Sequence, residues 1–236
     1  MRYASMYDGI VYDARKEVAG WDQPGRPGGV WTNAITGPAP KIELTAQMHD
    51  PVRVLRAISP VKVSEPKPGV TIYDFGTSMA GFCRVTLDGP NGTEVKLRYA
   101  EALKPDGTLY VANLNGVYDN GDRYILDGKG VRTFEPDFTY HGFRYVEVTG
   151  TSSVVREIAA CDLSTDTRQT GFFESSDTRL NKLCGIIERA YRANTPSTTI
   201  DVAGRDERQA WMGDCFTDEV QSLSLIHISE PTRPRL

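Results

Sequence analysis

The sequence predicts a multidomain β-plus-α protein, in which an antiparallel β-sandwich is followed by a helical domain. Two observations lead to this prediction. From Pro51 to about Asp162 the chain consists of short runs of β-branched and aromatic residues separated by hairpin-type turns. After Asp162 the apolar period changes to that of a helix. With 236 residues, 39% of them hydrophobic, the chain can bury one large or two modest cores.

Residues 1 to 44 alternate short apolar pieces with turn signals, as in "YDGIVYDAR" and "WDQPGRPGGVW". Because such a segment cannot close a sheet by itself, we assign it to the C-terminal end of an N-terminal β-sandwich module and expect further sequence upstream. The first residues lack the apolar core of a signal peptide. This favours the cytoplasm over export, although an unnatural N-terminus would leave the localisation open.

Residues 45 to 165 are assigned to one β-sandwich domain. Its predicted strands include "VRVLRAI", "VTIYDFG", "FCRVTLDG", "TEVKLRYAE", "DRYILDG", "FRYVEVTG" and "VVREIAA". Asn-Gly and Asp-Gly pairs between them, as in "DGPNGTE" and "KPDGTLY", are typical of tight hairpins. The absence of a helical insert favours an antiparallel sandwich over a parallel sheet.

Residues 166 to 221 are assigned to the first part of a helical domain. Ser176 and Asp177 are candidate N-caps, and Pro196 ends the helix. One stripe of apolar residues recurs at helical spacing at Leu180, Leu183, Ile187 and Tyr191.

The composition excludes several classes of partner. A formal net charge of −4 and no clustered basic surface argue against nucleic acid and anionic membranes. The four cysteines form no CxxC pair and no zinc-ligand pattern with the three histidines, so we expect buried thiols and no metal site. The sequence leaves the oligomeric state open.

Residues 198 to 214, "TTIDVAGRDERQAWMGD", concentrate carboxylates and arginines around a tryptophan. If a helix begins near Arg208, then Glu207, Trp211 and Asp214 share one face, and Asp201 and Arg205 lie on the loop before it. Carboxylates and a cation beside an indole suit a sugar ring, which stacks on the aromatic face and hydrogen-bonds to the charged groups. The alternative is a solvated, salt-bridged helix start.

This window resembles "DCPQRDERLGWTGD", the signature of the inverting α-L-rhamnosidases of glycoside hydrolase family 78. "DFGTSMAG", "LRYAEALKPDGTLYVANL", "FEPDFTYHGFRYVEVTG" and "GFFESSDTRLNKL" resemble other segments of the same family, in the same order. The resemblance extends to about residue 221. It implies a concanavalin-like sandwich followed by the start of an (α/α)6 barrel, and hydrolysis of terminal non-reducing α-L-rhamnose residues without a cofactor.

Carried over position by position, the resemblance makes Glu207 the general acid. Asp201, Arg205, Trp211 and Asp214 would form the rhamnose subsite, which would take a rhamnosylated glycoside or polysaccharide. Asp206 and Arg208 would have supporting roles, through salt bridges. Val202, Ala203 and Gly204 depart from the family's Cys-Pro-Gln, and Gln209, Ala210 and Met212 from its Leu-Gly-Thr, which puts the loop shape and aglycone preference in doubt.

An inverting glycosidase also needs a general base about 6.5–9.5 Å from the acid, across the sugar ring. In the family it comes from later in the barrel, so we expect it to be absent from this chain and the chain to be inactive alone. Asp218 and Glu219 are too close in sequence to the acid to serve. His141, Glu101 and Glu174 are interpreted as structural or surface residues.

The last fifteen residues, "SLSLIHISEPTRPRL", resemble a translated sequencing adapter, and we expect residues 222–236 to be artefactual. Two readings of other classes stay open: a non-catalytic carbohydrate-binding β-sandwich, and a structural domain in which the charged cluster is incidental.

Overall fold

A computed structural model describes residues 1–24, 31–114, 120–150, 152–205, 207–211 and 213. The predicted tail lies outside the described residues. In the described part, β-strands dominate the first two thirds of the chain, and one long helix follows them. The strands are β1 (Tyr3–Ser5), β2 (Gly9–Asp13), β3 (Val52–Ile58), β4 (Lys62–Lys67), β5 (Val70–Leu87), β6 (Glu94–Ala100), β7 (Ala102–Leu103), β8 (Leu109–Tyr110), β9 (Gly121–Ile125), β10 (Arg132–Phe134), β11 (His141–Thr149) and β12 (Val155–Thr165), and the helix is α1 (Thr178–Ala193).

Ten of these strands form one curled sheet in the order β1-β2-β9-β6-β11-β5-β12-β3, with β4 and β10 also paired to β5. All pairs are antiparallel except β2 with β9. Strand β5 pairs with β11 between Val70 and Gly81 and with β4 at its N-terminal end, and its C-terminal part from Gly81 pairs with β12 and β10. The curl encloses a core built mainly from aromatic and β-branched side chains of β5, β6, β9 and β11.

The sequence presents β5 as two separate runs, whereas the structure joins them into one strand interrupted by a bulge. Asp74 pairs with Tyr145 and Met79 with Phe143, so four residues of β5 lie opposite the single residue Arg144. Arg144 clamps the bulge by donating Nε and Nη2 to the two Asp74 carboxylate oxygens at 2.8 and 2.9 Å. Thr77 and Ser78 of the bulge line a cleft together with residues of α1.

Four strands within residues 45–165 were not among the sequence predictions: β4, β10 and the two-residue strands β7 and β8. Strand β4 carries Pro66, and its pairing with β5 shifts register between Ser64 and Lys67, which is where a strand tolerates a residue with no N–H donor. Strand β10 has only three residues, Arg132–Phe134. Both are too short or irregular to produce a clear two-residue period.

Strands β1 and β2, which the sequence assigns to a preceding module, form one edge of the same sheet. The boundary at residue 44 stays a prediction, as do those at 165 and 221.

The helix begins and ends where the sequence predicts. Asp177 caps α1 by accepting a hydrogen bond from the Arg179 N–H at 2.9 Å, and Pro196 lies three residues beyond its last residue. The helix packs on β5 and β12, where the Ser164 hydroxyl donates to the carbonyl of Arg192 at 2.8 Å. No residue of α1 is fully buried; in its apolar stripe, Leu180 and Leu183 are exposed, whereas Ile187 and Tyr191 are partly buried.

Candidate active site

The loop that follows α1 carries the charged motif and is held close to the sheet. Asn194, at the end of the helix, accepts a hydrogen bond from the Ile200 N–H on its carbonyl at 2.8 Å and from the Ala203 N–H on Oδ1 at 3.1 Å. Ile200 and Ala203 are buried against Ala80 of β5. Apolar contact with the sheet and two hydrogen bonds to the helix end therefore fix the first half of the loop.

The two ends of the motif are joined by a pair of hydrogen bonds. The Asp201 N–H donates to the Gln209 carbonyl at 3.0 Å, and the Gln209 N–H donates to Asp201 Oδ1 at 2.9 Å. The Asp201 carboxylate thus closes the loop on which Glu207 lies.

The expected helix beginning near Arg208 is wrong for the described residues 207–211, none of which is helical. Arg208 has a φ of +47°, in the left-handed region, which an α-helix cannot accommodate. The one-face argument for Glu207, Trp211 and Asp214 therefore loses its basis, and Asp214 lies outside the described residues.

Glu207 and Arg205 form the open part of the site. Their charged groups are 3.7 Å apart, from Arg205 Nη1 to Glu207 Oε2, and each side chain keeps 40% or more of its surface exposed. Trp211 is 55% exposed, and its main-chain N–H donates to the Gln209 carbonyl at 3.0 Å. The structure thus presents a carboxylate, a cation and an indole to solvent on one short loop, while Asp206 lies outside the described residues.

Arg208 has the opposite environment and is only 4% exposed. Its Nη1 donates to the carbonyls of Met6 and Tyr140, the latter at 2.6 Å, and its Nη2 donates to Asn120 Oδ1 at 3.1 Å. Its guanidinium also lies over the Tyr140 ring, 5.2 Å from the centroid. Among the described residues, main-chain and amide oxygens accept hydrogen bonds from Arg208, and its predicted supporting role through salt bridges stays a prediction.

Glu101, interpreted as structural from the sequence, lies beside this loop. A Cβ added at Gly204 would be 2.2 Å from Glu101 Oε2, so the carboxyl group packs against the glycine. Although Glu101 as a whole is exposed, burial of its carboxyl raises its pKa. Glu101 also lines a cleft of about 290 Å³ between the β5 bulge and α1, together with Arg189 and Ser78. The sequence motif "RYAEAL" contains this residue, but nothing local in it points to the contact.

The described residues were also searched for metal-binding groups and membrane-spanning helices. In that part of the chain, no three His, Cys, Asp or Glu side chains group closely enough to hold a metal ion. Among the described helices, none is long and apolar enough to span a membrane.

Comparison with protein-family models identifies three consecutive matches. The α-L-rhamnosidase N-terminal domain matches residues 1–56, the bacterial α-L-rhamnosidase concanavalin-like domain matches residues 64–164, and the bacterial α-L-rhamnosidase six-hairpin glycosidase domain matches residues 168–228. The concanavalin-like sandwich and the start of a helical barrel, both expected from the resemblance, are confirmed by these models together with the β-rich sheet and helix of the structure.

Full-length relatives show the same similarity. An α-L-rhamnosidase of Streptomyces avermitilis is 43% identical over 219 residues, covering 89% of this chain and 21% of the relative. An α-L-rhamnosidase of an Alteromonas species is 34% identical over 220 residues, covering 91% of this chain and 24% of the relative. The chain therefore spans between a fifth and a quarter of the length of these relatives.

Solved structures of α-L-rhamnosidases have the same fold as this chain. The α-L-rhamnosidase of Dictyoglumus thermophilum superposes with a TM-score of 0.88 at 34% identity, over 95% of this chain and 26% of that one. The S. avermitilis α-L-rhamnosidase complexed with L-rhamnose gives 0.82 at 42% identity, over 89% and 21%. On the order of its motifs, its three matched domains and its fold, the chain belongs to the bacterial α-L-rhamnosidase family.

Proposed function

We propose that the protein to which this chain belongs hydrolyses terminal non-reducing α-L-rhamnose residues of glycosides or polysaccharides by single displacement with inversion. The observation that carries the proposal is the exposed Glu207–Arg205 pair, on a loop whose letters match the rhamnosidase signature at every charged position. The relatives' names, and the L-rhamnose complex of the related S. avermitilis structure, support the sugar assigned.

In the proposed mechanism Glu207 is the general acid that protonates the departing glycosidic oxygen. Asp201, Arg205, Trp211 and Asp214 contact the rhamnose, and Asp206 and Arg208 support the loop. Because the gap between Arg205 and Glu207 is open to solvent, a sugar hydroxyl can enter beside both groups. Arg205 would hold a ring hydroxyl and keep a positive charge next to the carboxyl group.

An inverting reaction needs a second carboxylate, on the far side of the sugar, to activate water. We assign that base to the part of the barrel that this chain does not include. The chain alone is therefore proposed to be inactive, while a protein that completes the barrel would be active.

The test is a chimera in which residues 1–213 of this chain replace the matching part of the S. avermitilis α-L-rhamnosidase. The chimera is expected to hydrolyse an aryl α-L-rhamnoside and to release β-L-rhamnose first, as seen by NMR of the fresh product. Glu207→Gln should lower kcat by about 10²–10⁴-fold, whereas Glu174→Gln, an exposed carboxylate, should leave it unchanged.

Unchanged hydrolysis by the Glu207→Gln chimera would exclude Glu207 as the acid, and initial release of α-L-rhamnose would exclude inversion. Rhamnoside binding by the 236-residue chain, combined with an inactive chimera, would favour the alternative of a carbohydrate-binding sandwich.

A further inference from the structure

The loop that carries Glu207 is anchored to the β-sheet on both sides of that residue. Before Glu207, the backbone of residues 203–204 lies directly on β11, and after it the Arg208 side chain enters the sheet interior. The first anchor uses Gly142 of the "TYHGFRY" segment, and the second uses Asn120, which is hydrogen-bonded to His141 of the same segment. The proposed mechanism assigns no role to these three residues.

The first anchor is a main-chain contact that depends on a glycine. A Cβ added at Gly142 would lie 2.2 Å from the Gly204 nitrogen and 2.3 Å from the Ala203 carbonyl carbon. Both are backbone atoms, so any larger residue at position 142 must push the loop away from the sheet. The Glu101 carboxyl group is also in contact with Gly204. The loop therefore contacts both β11 and Glu101.

The second anchor depends on Asn120. Its Oδ1 accepts hydrogen bonds from Arg208 Nη2 at 3.1 Å and from His141 Nδ1 at 2.8 Å, while its Nδ2 donates to the Tyr99 carbonyl at 3.3 Å. A guanidinium only donates, so Arg208 fixes which end of the amide faces it. The same oxygen then requires His141 to carry a proton on Nδ1. The donor-only guanidinium of Arg208 thus determines the orientation of the Asn120 amide and the position of a proton on His141.

His141 continues the network into the core. It is fully buried, stacks on the Tyr99 ring at 4.0 Å between centroids, and places Nε2 3.4 Å from Asp122. Asp122 is fully buried too and accepts hydrogen bonds from the Tyr99 hydroxyl at 2.6 Å and the Ile10 N–H at 3.1 Å. Burial, reinforced by Arg208, lowers the pKa of His141, and Asp122 only partly opposes this.

We propose that Asn120, His141 and Gly142 are positioning residues for Glu207, and that the sandwich fixes the direction of the acid through Arg208 and the backbone of residues 203–204. This inference rests on the proposed function for the identity of the acid. Arg208 is the residue next to Glu207 in the chain, and its left-handed φ of +47° turns the chain sharply there. The anchor and the acid are therefore separated by one peptide bond, so release of the anchor changes where the carboxyl group points.

Asn120 offers the sharpest test because its own φ is +43°, a conformation that glycine adopts without strain. Asn120→Gly removes the bridging amide while keeping the backbone, and Asn120→Asp keeps an acceptor for Arg208. Asn91→Gly, at an exposed asparagine in the turn between β5 and β6, is the matched control.

In the 236-residue chain, amide hydrogen exchange is measured for residues 200–205 and 207–211 and for the core strands β5, β6 and β11. We expect Asn120→Gly to accelerate exchange in the loop by about tenfold or more with unchanged core exchange, and Asn120→Asp and Asn91→Gly to behave like the parent. Loop exchange unchanged in Asn120→Gly, or raised equally in loop and core, would overturn the proposal.

In the chimera, Asn120→Gly should lower kcat on an aryl α-L-rhamnoside by about 10–10²-fold with little change in KM, and Asn120→Asp should recover most of the loss. A loss confined to KM, or no loss, would contradict a positioning role. The Glu207→Gln chimera tests the proposed function separately. If that chimera shows that Glu207 is not the acid, hydrogen exchange in the 236-residue chain still tests whether Asn120 anchors the loop.

Discussion

Replacing Tyr99 by phenylalanine is expected to lower the free energy of unfolding by about 1.5–3 kcal/mol, the range for a hydrogen bond to a charged partner. The Tyr99 hydroxyl donates to Asp122 Oδ2 at 2.6 Å, and both side chains are 1% exposed or less. Phenylalanine keeps the ring stack on His141 and the edge contact with Phe143, whose centroid is 4.9 Å away. The substitution therefore isolates one hydroxyl and leaves a buried carboxylate short of one donor.

Tyr124 on β9 provides the matched control. It is also fully buried, but among the described residues its hydroxyl has no hydrogen-bond partner. Because this buried hydroxyl makes no hydrogen bond among the described residues, Tyr124→Phe should raise the free energy of unfolding by between zero and about 1 kcal/mol. Tyr99→Phe is thus expected to lower the free energy of unfolding, whereas Tyr124→Phe, at an equally buried position, should leave it unchanged or raise it.

The measurement is urea unfolding of the two variants and the parent chain at neutral pH, followed by circular dichroism. With a slope of about 2 kcal/mol per molar urea, the Tyr99→Phe midpoint should fall by about 1 M, while the Tyr124→Phe midpoint should stay or rise. Equal losses in the two variants would refute the reasoning, because they would show that the stability follows the loss of a buried oxygen and not its hydrogen bond to Asp122.

Three further predictions concern the helix cap, the buried histidine and two exposed apolar residues of α1. Asp177→Ala should destabilise α1 by about 1 kcal/mol, seen as faster amide exchange in its first turn, whereas Ser176→Ala should have no effect because Asp177 is the cap. The pKa of His141 is lowered from 6.5, so just below pH 6.5 the unfolded chain binds a proton that the folded chain does not. The free energy of unfolding should therefore fall as the pH decreases below 6.5, by up to about 1.4 kcal/mol per pH unit. In the His141→Gln variant, the part of the pH dependence of the urea midpoint that comes from His141 should be absent. Leu183 and Ile186 of α1 are 50% and 46% exposed, so changing both to lysine should reduce the self-association of the 236-residue chain measured by sedimentation, with unchanged circular dichroism.

The sequence predicts local structure well where the signal is local. Strand β3 coincides with the run "VRVLRAI", and α1 begins one residue after a predicted cap. Both follow from short-range chemistry: β-branched residues at alternating positions, and a carboxylate that accepts the first free N–H groups of a helix. The loop proposed as the site also stands out in the sequence, because the charged residues and Trp211 lie within 17 positions.

The conformation of that loop was beyond sequence reasoning because it depends on distant partners. Arg208 donates to Met6, 202 positions away, and to Asn120, 88 positions away. An arginine in a charged run is usually solvated, and no local pattern indicates that this one is buried. The same holds for the β5 bulge, which is set by Arg144 pairing with Asp74 across the sheet. Helix periodicity applied across Arg208 therefore gave the wrong local structure.

The departures from the family signature become understandable in this geometry. The family has proline where this chain has Ala203, and here the Ala203 N–H donates to Asn194 Oδ1 at 3.1 Å, which proline could not do. The chain thus uses a hydrogen bond to the helix end where a proline would restrict the loop by its ring. Gly204 replaces a glutamine and allows the Glu101 carboxyl to approach its backbone. Both changes alter how the loop is held and leave Arg205, Glu207 and Arg208 in place, so in this chain the anchoring of the loop can differ from the family's while the charged groups of the site are kept.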